Sequence, residues 1–368
     1  MTPTATATDT AYQEWLLRAM LSIPSVSGEE KAVASFLADQ MRILGMTSWV
    51  DEVGNVHGVT GPQDAPTIIL LGHIDTVPGQ VPVCLIGDLL YGRGAVDAKG
   101  PMAAMTCAAA RTANVRVHVI GAVGEEVAGS RGARHVLRTV QRPDAVVIGE
   151  PSGWDGVCIG YKGRVGVGYE ITCPMLHTSS PEPTAAEYVL RFSHMILEYL
   201  RSVSPENVDP VSFDAAHGAL VRLEGGLRYA ETFLTCRVPE GFDFAAFERV
   251  VRAFPHTRVW FDETVPATRR PRHDLVASQL RAAIIAHGGS PTIKLKAGTS
   301  DMNTVSGWGV PIASYGPGDA HLDHTDDEHL ALSELHRAID VLSLALIRIG
   351  ERLVTRQGPK DDLTRRRL

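Results

Sequence analysis

Cysteine is scarce in this chain. Five occur in 368 residues, Cys84, Cys107, Cys158, Cys173 and Cys236, an odd and scattered set with no Cys-x-x-Cys spacing. That excludes a disulfide framework and a thiolate zinc site, and reduced, mostly buried thiols are expected instead. Long apolar runs are missing too. No uninterrupted stretch could span a bilayer, so no membrane association is expected. The opening Met1 to Thr10 is rich in Thr and Ala and lacks the basic-then-apolar form of a signal peptide. A cytoplasmic location is the expectation from both facts. Positive charge is also in short supply. The formal net charge is −7, and no long basic run interrupts the interior of the chain, which argues against a nucleic-acid surface. What remains is an ordinary globular composition, 44% apolar, in a chain longer than one typical domain, so two domains are expected.

The most informative stretch is Leu70-Leu71-Gly72-His73-Ile74-Asp75-Thr76-Val77-Pro78. The apolar run from Thr67 to Leu71 reads as a buried strand. It ends on a His and an Asp two residues apart, which therefore point to the same face. Strand ends of a parallel sheet are where ligands and metals collect. Further metal-type residues follow in order. Asp97 lies in the glycine-rich turn Gly92-Arg93-Gly94-Ala95-Val96-Asp97-Ala98-Lys99-Gly100. Glu125 and Glu126 come just after the apolar strand Val115 to Val123. Another apolar strand, Val146-Val147-Ile148-Gly149, ends on Glu150. Far downstream, His321-Leu322-Asp323-His324-Thr325-Asp326-Asp327-Glu328 supplies two competing histidines in a loop rich in Gly, Pro and Asp. One such strand ending arises easily by chance; several convergent ones do not.

These residue types belong together chemically. Two divalent cations carry four positive charges, and Asp97, Glu126 and Glu150 supply three negative ones. Neutral His73 and a late His add one nitrogen ligand per ion. Mixed nitrogen and oxygen donors suit Zn²⁺ or Co²⁺, whereas Mg²⁺ and Ca²⁺ prefer shells of oxygen. A pair of ions about 3.5–4 Å apart can ionise water near neutral pH and polarise a carbonyl.

With these blocks in hand, the chain resembles the co-catalytic metallopeptidase family of aminoacylases, acetylornithine deacetylase, succinyl-diaminopimelate desuccinylase and carboxypeptidase G. The likeness runs roughly from Trp15 to Ile349. It implies two metal ions, Zn²⁺ or Co²⁺, held by His73, Asp97, Glu126, Glu150 and His324, with Asp97 bridging. It implies Asp75 as the group that orients His73, and Glu125 as the base that moves the proton. It selects His324 over His321, because His324 carries the family spacing His-x-x-Asp-Glu to Asp327 and Glu328. His177, in Cys173-Pro174-Met175-Leu176-His177-Thr178, matches the family His that reaches across a homodimer to stabilise the oxyanion. Arg237, in Thr235-Cys236-Arg237-Val238, matches a substrate-carboxylate Arg, and Gly298-Thr299-Ser300-Asp301 resembles a substrate-binding loop.

A narrower likeness joins Gly92 to Pro101, Gly149 to Gly156 and Gly298 to Asn303 to the [LysW]-lysine hydrolase branch. That branch implies an amide hydrolase that frees lysine, and in some members ornithine, from the γ-carboxyl of the C-terminal Glu of the carrier protein LysW, in lysine or arginine biosynthesis. The alternatives are acetylornithine deacetylase or another deacylase of small N-acyl amino acids and, more remotely, a non-catalytic binding protein of the same fold.

Patterning along the chain fits an α/β class. Ala11 to Ile23 reads as an amphipathic helix, and Ser27-Gly28-Glu29-Glu30 reads as a capping box opening a second helix. Strands and helices then alternate up to Gly149, which predicts a mostly parallel sheet flanked by helices. Between Arg164 and Arg270 the texture changes to alternating strands with antiparallel signals around a long helix, Thr184 to Ser202. The expectation is a discontinuous catalytic domain, 1–163 and 271–368, interrupted by an α+β domain at 164–270. By resemblance this insert is the lid and dimerisation domain. The first ten residues and the tail from Thr355 are polar or charged and are expected to lack structure.

Overall fold

The computed structural model describes residues 6, 8–112, 114–175, 177–209 and 211–357. They divide into two compact units. One comprises residues up to Ile159, Arg270–Lys294 and Thr304 onward; the other comprises Gly160–Arg269 and Leu295–Asn303. The short stretch 295–303, which the sequence pattern left with the flanking segments, thus packs with the second unit.

The first unit is built on a large mixed sheet. Its centre consists of parallel strands Arg116–Ala122, Thr67–His73, Ala145–Gly149 and Ile312–Ser314, side by side in that order. Antiparallel strands Val56–Thr60 and Thr47–Val50 extend the Arg116 edge. The central strands are almost wholly buried, because helices cover them and leave no solvent face to alternate with. Helix Lys99–Ala110 is buried all round. Its Ala- and Met-rich sequence lets it lie close to the sheet on one side and to helix Leu332–Gln357 on the other. A small third sheet pairs Cys84–Ile86 with Leu89–Tyr91, and Leu89–Tyr91 with His329–Ala331. Nothing in the sequence pattern pointed to it.

The second unit is a four-stranded antiparallel sheet in the order His217–Gly225, Tyr229–Val238, Gly163–Thr172 and Arg258–Val265. Along Tyr229–Val238 burial alternates residue by residue, the period-two signature of a sheet with one covered face. Helices Ala185–Ser202 and Phe244–Ala253 contribute to the core against it. There Tyr169 stacks on Phe192 with centroids 4.1 Å apart. Thr184 and Glu187 form a reciprocal capping box at the start of the long helix.

The capping box expected at Ser27 does not form. Helix Lys31–Ile43 begins at Glu30 without a side-chain cap, because the local side chains are engaged elsewhere. The Ser27 hydroxyl donates to Asp75 Oδ2 at 2.7 Å. Glu30 accepts from the Gly28 N–H at 2.8 Å and from Arg131 at 3.0 Å. The polar ends also differ from expectation where they are described. Asp9 caps helix Thr10–Leu21, and the last helix continues through Gln357, anchored by buried Leu353. Residues 1–5, 7 and 358–368 lie outside the described set. Among the described residues, no helix is long and apolar enough to cross a membrane.

Candidate metal centre

Register brings the site together. Gly72 pairs with Gly121 on one side and Gly149 on the other, and His73 pairs with Ala122. The strands are parallel and aligned, so His73, the turn carrying Glu125 and Glu126, and Glu150 all leave the sheet at one edge. Gly124, at φ +69°, makes the left-handed turn that lets the chain leave the strand just before the Glu pair. Asp97 arrives from the Gly92–Gly100 loop. Gly94 in that loop has φ +87°, and a Cβ there would meet Thr76 Cγ2 at 2.9 Å. His324 comes from the loop before strand His329–Ala331. Its backbone is left-handed at φ 63°, a strain of roughly 1 kcal/mol for a residue with a Cβ.

The side chains meet in two matching halves. His73 Nε2 lies 3.0 Å from Asp97 Oδ1 and 3.9 Å from Glu150 Oε1. His324 Nε2 lies 3.1 Å from Asp97 Oδ2 and 3.1 Å from Glu126 Oε1. Each half therefore holds one imidazole and one terminal carboxylate, and the two oxygens of Asp97 are shared between them. One ligand atom each from His73, Asp97 and Glu126 lies within 4.8 Å of the others. It is His324 that reaches Asp97 and Glu126; His321 sits exposed in a short 3₁₀ turn capped by Asp319.

Electrostatics follow from this crowding. Burial pulls the His73 imidazole down, but hydrogen bonds to Asp75 and Asp97 and the nearby Glu125 charge outweigh it and hold it well above its ordinary value. Hydrogen bonds to Asp97 and Glu126 raise His324 to about 10. Burial favours a protonated Asp97, yet the two imidazoles hold its carboxyl far below the usual range. Burial raises Glu126, helped by the charge of Asp97 and opposed by the hydrogen bond to His324. The clustered carboxylates thus demand positive charge, and both imidazoles are shifted toward their protonated forms. A pair of divalent cations would meet the same demand with the same nitrogen and oxygen donors, so the residues present fit such a pair.

Asp75 is fully buried. His73 Nδ1 lies 3.0 Å from its main-chain carbonyl and 3.5 Å from its Oδ1. Its carboxylate also accepts the backbone N–H groups of Glu125 and Glu126, both at 3.1 Å, besides the Ser27 hydroxyl. One buried group therefore steadies both His73 and the Glu pair. On the far side of the Asp97 loop, the buried Lys99 ammonium donates to the Met20 and Ile23 carbonyls at 3.1 and 2.8 Å.

The family model for peptidase family M20/M25/M40 matches residues 69–348. The chain belongs to that family. A [LysW]-lysine hydrolase from Deinococcus radiodurans is 40% identical over 364 residues, covering 95% of this chain and 99% of that protein. A [LysW]-lysine/[LysW]-ornithine hydrolase from Sulfurisphaera tokodaii is 28% identical, covering 88% of this chain and 92% of that one. The fold is similar to the M20 family metallo-carboxypeptidase Sso-CP2 from Sulfolobus solfataricus, with a TM-score of 0.76 at 16% identity over 91% of this chain and 99% of that one. The family and the α/β fold class drawn from the sequence motifs hold on these findings.

The remaining sequence-named residues lie in the second unit of this M20 chain. Arg237 Nη1 donates to Thr299 Oγ1 at 2.9 Å, joining the Arg to the Gly298-Thr299-Ser300 loop. Ser300 is buried, and its N–H donates to Asn303 Oδ1 at 2.9 Å. His177 is exposed, with Nδ1 2.8 Å from Ser179 Oγ, and its neighbour Leu176 lies outside the described residues. Lys162 is not among the residues the sequence motifs single out. Its buried Nζ donates to the Ala215 carbonyl at 2.7 Å and lies 3.2 Å from His217 Nδ1. Burial and the Arg237 charge pull it down to about 8. Arg93 and Glu328 stand inside two of the sequence motifs, which by themselves assign them no role. An Arg inside a Gly-rich turn and a Glu closing the late His motif are the signals that could have marked them.

Proposed function

We propose that this chain is a metal-dependent amide hydrolase that frees lysine from the γ-carboxyl of the C-terminal Glu of the carrier protein LysW. The observation that carries the chemistry is the sharing of Asp97 between two His–carboxylate halves. The carrier-linked substrate is supported by the full-length likeness to the Deinococcus radiodurans enzyme.

His73, Asp97 and Glu150 would hold one ion, and His324, Asp97 and Glu126 the other, Zn²⁺ or Co²⁺ by donor type. Bound there, two divalent cations would polarise the scissile carbonyl and make water acidic enough to ionise near neutral pH. Glu125 takes the proton from the attacking water as the C–O bond forms. It then delivers that proton to the departing amine as the C–N bond breaks. Asp75 keeps His73 and the Glu125 backbone in place, and His177 donates a hydrogen bond to the developing oxyanion. Arg237 and the Gly298-Thr299-Ser300 loop bind a substrate carboxylate, for which a planar guanidinium is suited.

Three substrates offered in parallel test the substrate reading: carrier-linked lysine, carrier-linked ornithine and N-acetylornithine. Carrier-linked lysine is expected to be turned over with the highest kcat/KM. Turnover of N-acetylornithine alone would sink the reading and leave a small-molecule deacylase.

The second unit serves as a lid and dimerisation module in a homodimer. Strand His217–Gly225 is one of the two edge strands of its sheet, with Leu220, Val221 and Leu223 exposed. Such an edge needs a cover, and a second copy of the chain supplies one. His177 then acts at the neighbouring subunit's centre. A His177→Ala chain and a Glu125→Gln chain are each expected to be inactive alone. Allowed to exchange subunits, they place one intact His177 opposite one intact Glu125 and regain activity. Proven heterodimers without activity would rule the arrangement out.

A further inference from the structure

Glu328 and Arg93 take no part in the chemistry proposed above, yet they join the two loops that deliver Asp97 and His324. The Glu328 side chain is 1% exposed. Its Oε1 accepts the backbone N–H groups of Val96 at 2.9 Å and Asp97 at 3.1 Å. Its Oε2 accepts the Gly94 N–H at 3.0 Å and Arg93 Nη1 at 2.9 Å. Arg93 Nη1 donates again to the Thr325 carbonyl at 2.9 Å, one residue beyond His324. The two loops are brought side by side by the small sheet, in which Tyr91 pairs with His329, and the Gly92 N–H donates to the Glu328 carbonyl at 3.2 Å. Glu328 thus closes a contact between segments 232 residues apart in sequence at Val96.

We propose that Glu328, clasped by Arg93, is the positioning residue that sets Asp97 against His324, so that the shared carboxylate can face both imidazoles at once. This rests on the dinuclear reading of the site. The chemistry of the clasp requires a carboxylate. Four N–H groups converge on two oxygens, and only an acceptor without hydrogens can serve them all. The amide of a Gln, in either orientation, turns an NH₂ toward two of those donors. Gly94 and Val96 are buried and the Arg93 side chain is only 10% exposed, so the lost acceptor is poorly replaced by water. The strain then falls on the Asp97 backbone, which hangs from Glu328 by its own N–H, and on the His324 loop. Groups of this kind, one shell out from the ligands, are typically worth about 10–100-fold in metal affinity or activity.

The test compares metal-free wild-type protein with Glu328→Gln. Zn²⁺ affinity and stoichiometry are measured by chelator competition, well below the melting temperature of each protein as followed by circular dichroism. Wild type is expected to bind two ions per chain. Folded Glu328→Gln is expected to bind them about 10–100-fold more weakly. A residue with only a structural role would lower the melting temperature of the metal-free chain and leave the affinity of the folded protein untouched. Arg93→Gln, which removes one arm of the clasp and leaves the carboxylate, is expected to shift affinity in the same direction, and it decides the matter if Glu328→Gln does not fold. Wild type that binds no ion overturns the dinuclear reading. Wild type that binds two ions, with wild-type affinity in the folded variants, overturns the positioning role alone.

Discussion

Glu125→Gln is expected to retain its metal ions and to lose at least about two orders of magnitude in kcat, the lower range for removal of a general acid–base group. The Glu125 contact that steadies the turn is its backbone N–H to Asp75 Oδ1, which a Gln keeps. The carboxylate of its neighbour Glu126 is the one that meets His324. The substitution is therefore expected to keep both halves of the centre and to remove the proposed proton carrier, which would serve twice, once for water and once for the leaving amine. Because one group serves both steps, the loss has room to exceed the lower range. Glu126→Gln makes the contrast, with an expected loss of bound metal. Elemental analysis of the two purified variants beside steady-state rates reads both outcomes. If Glu125→Gln loses its metal instead, the roles of the two Glu residues are exchanged.

Removal of metal by a chelator is expected to abolish turnover, and readdition of Zn²⁺ or Co²⁺ to restore it. Under the proposed mechanism, loss of the ions would remove the polarisation of the carbonyl and the acidity of the water, and would leave Glu125 no ionisable partner near neutral pH. The site also makes a second, independent signal. With no metal, hydrogen bonds to Asp97 and Glu126 hold His324 at about 10, so its imidazole carries a proton at neutral pH. A metal ligand must be neutral, so loading the site must expel that proton. Titration of metal-free protein in weak buffer is expected to release protons in step with ions bound. Full turnover in protein shown by elemental analysis to be metal-free would remove the dinuclear mechanism altogether.

The strand ends were legible in the sequence by itself, as were the α/β class and the types of residue that meet in the site. Thr67–His73 and Ala145–Gly149 announce themselves as unbroken apolar runs because strands covered on both faces have no polar alternation to display. His73 and Glu150 sit at or just past those runs, and Glu125 and Glu126 come just past a third apolar strand, Arg116–Ala122. The periodic texture of the second unit was equally visible, because alternation along Tyr229–Val238 is a local property of a sheet with one covered face.

What only tertiary structure decided are matters of loop closure. Ser27 looked like a helix cap because a Ser three residues before a Glu is a local signal. The folded chain instead gives its hydroxyl to Asp75, whose buried carboxylate needs the donor more. That the two oxygens of Asp97 divide between His73 and His324 depends on where two glycine-rich loops come to rest, and no periodicity reports on that. The same holds for the join between Arg237 and Thr299, and for the clasp of Glu328 on the Asp97 loop. Periodic patterns record how each segment meets water or core. Pairings between distant loops are set by sheet register and by the need of buried donors for acceptors, and they become visible only when the chain has closed on itself.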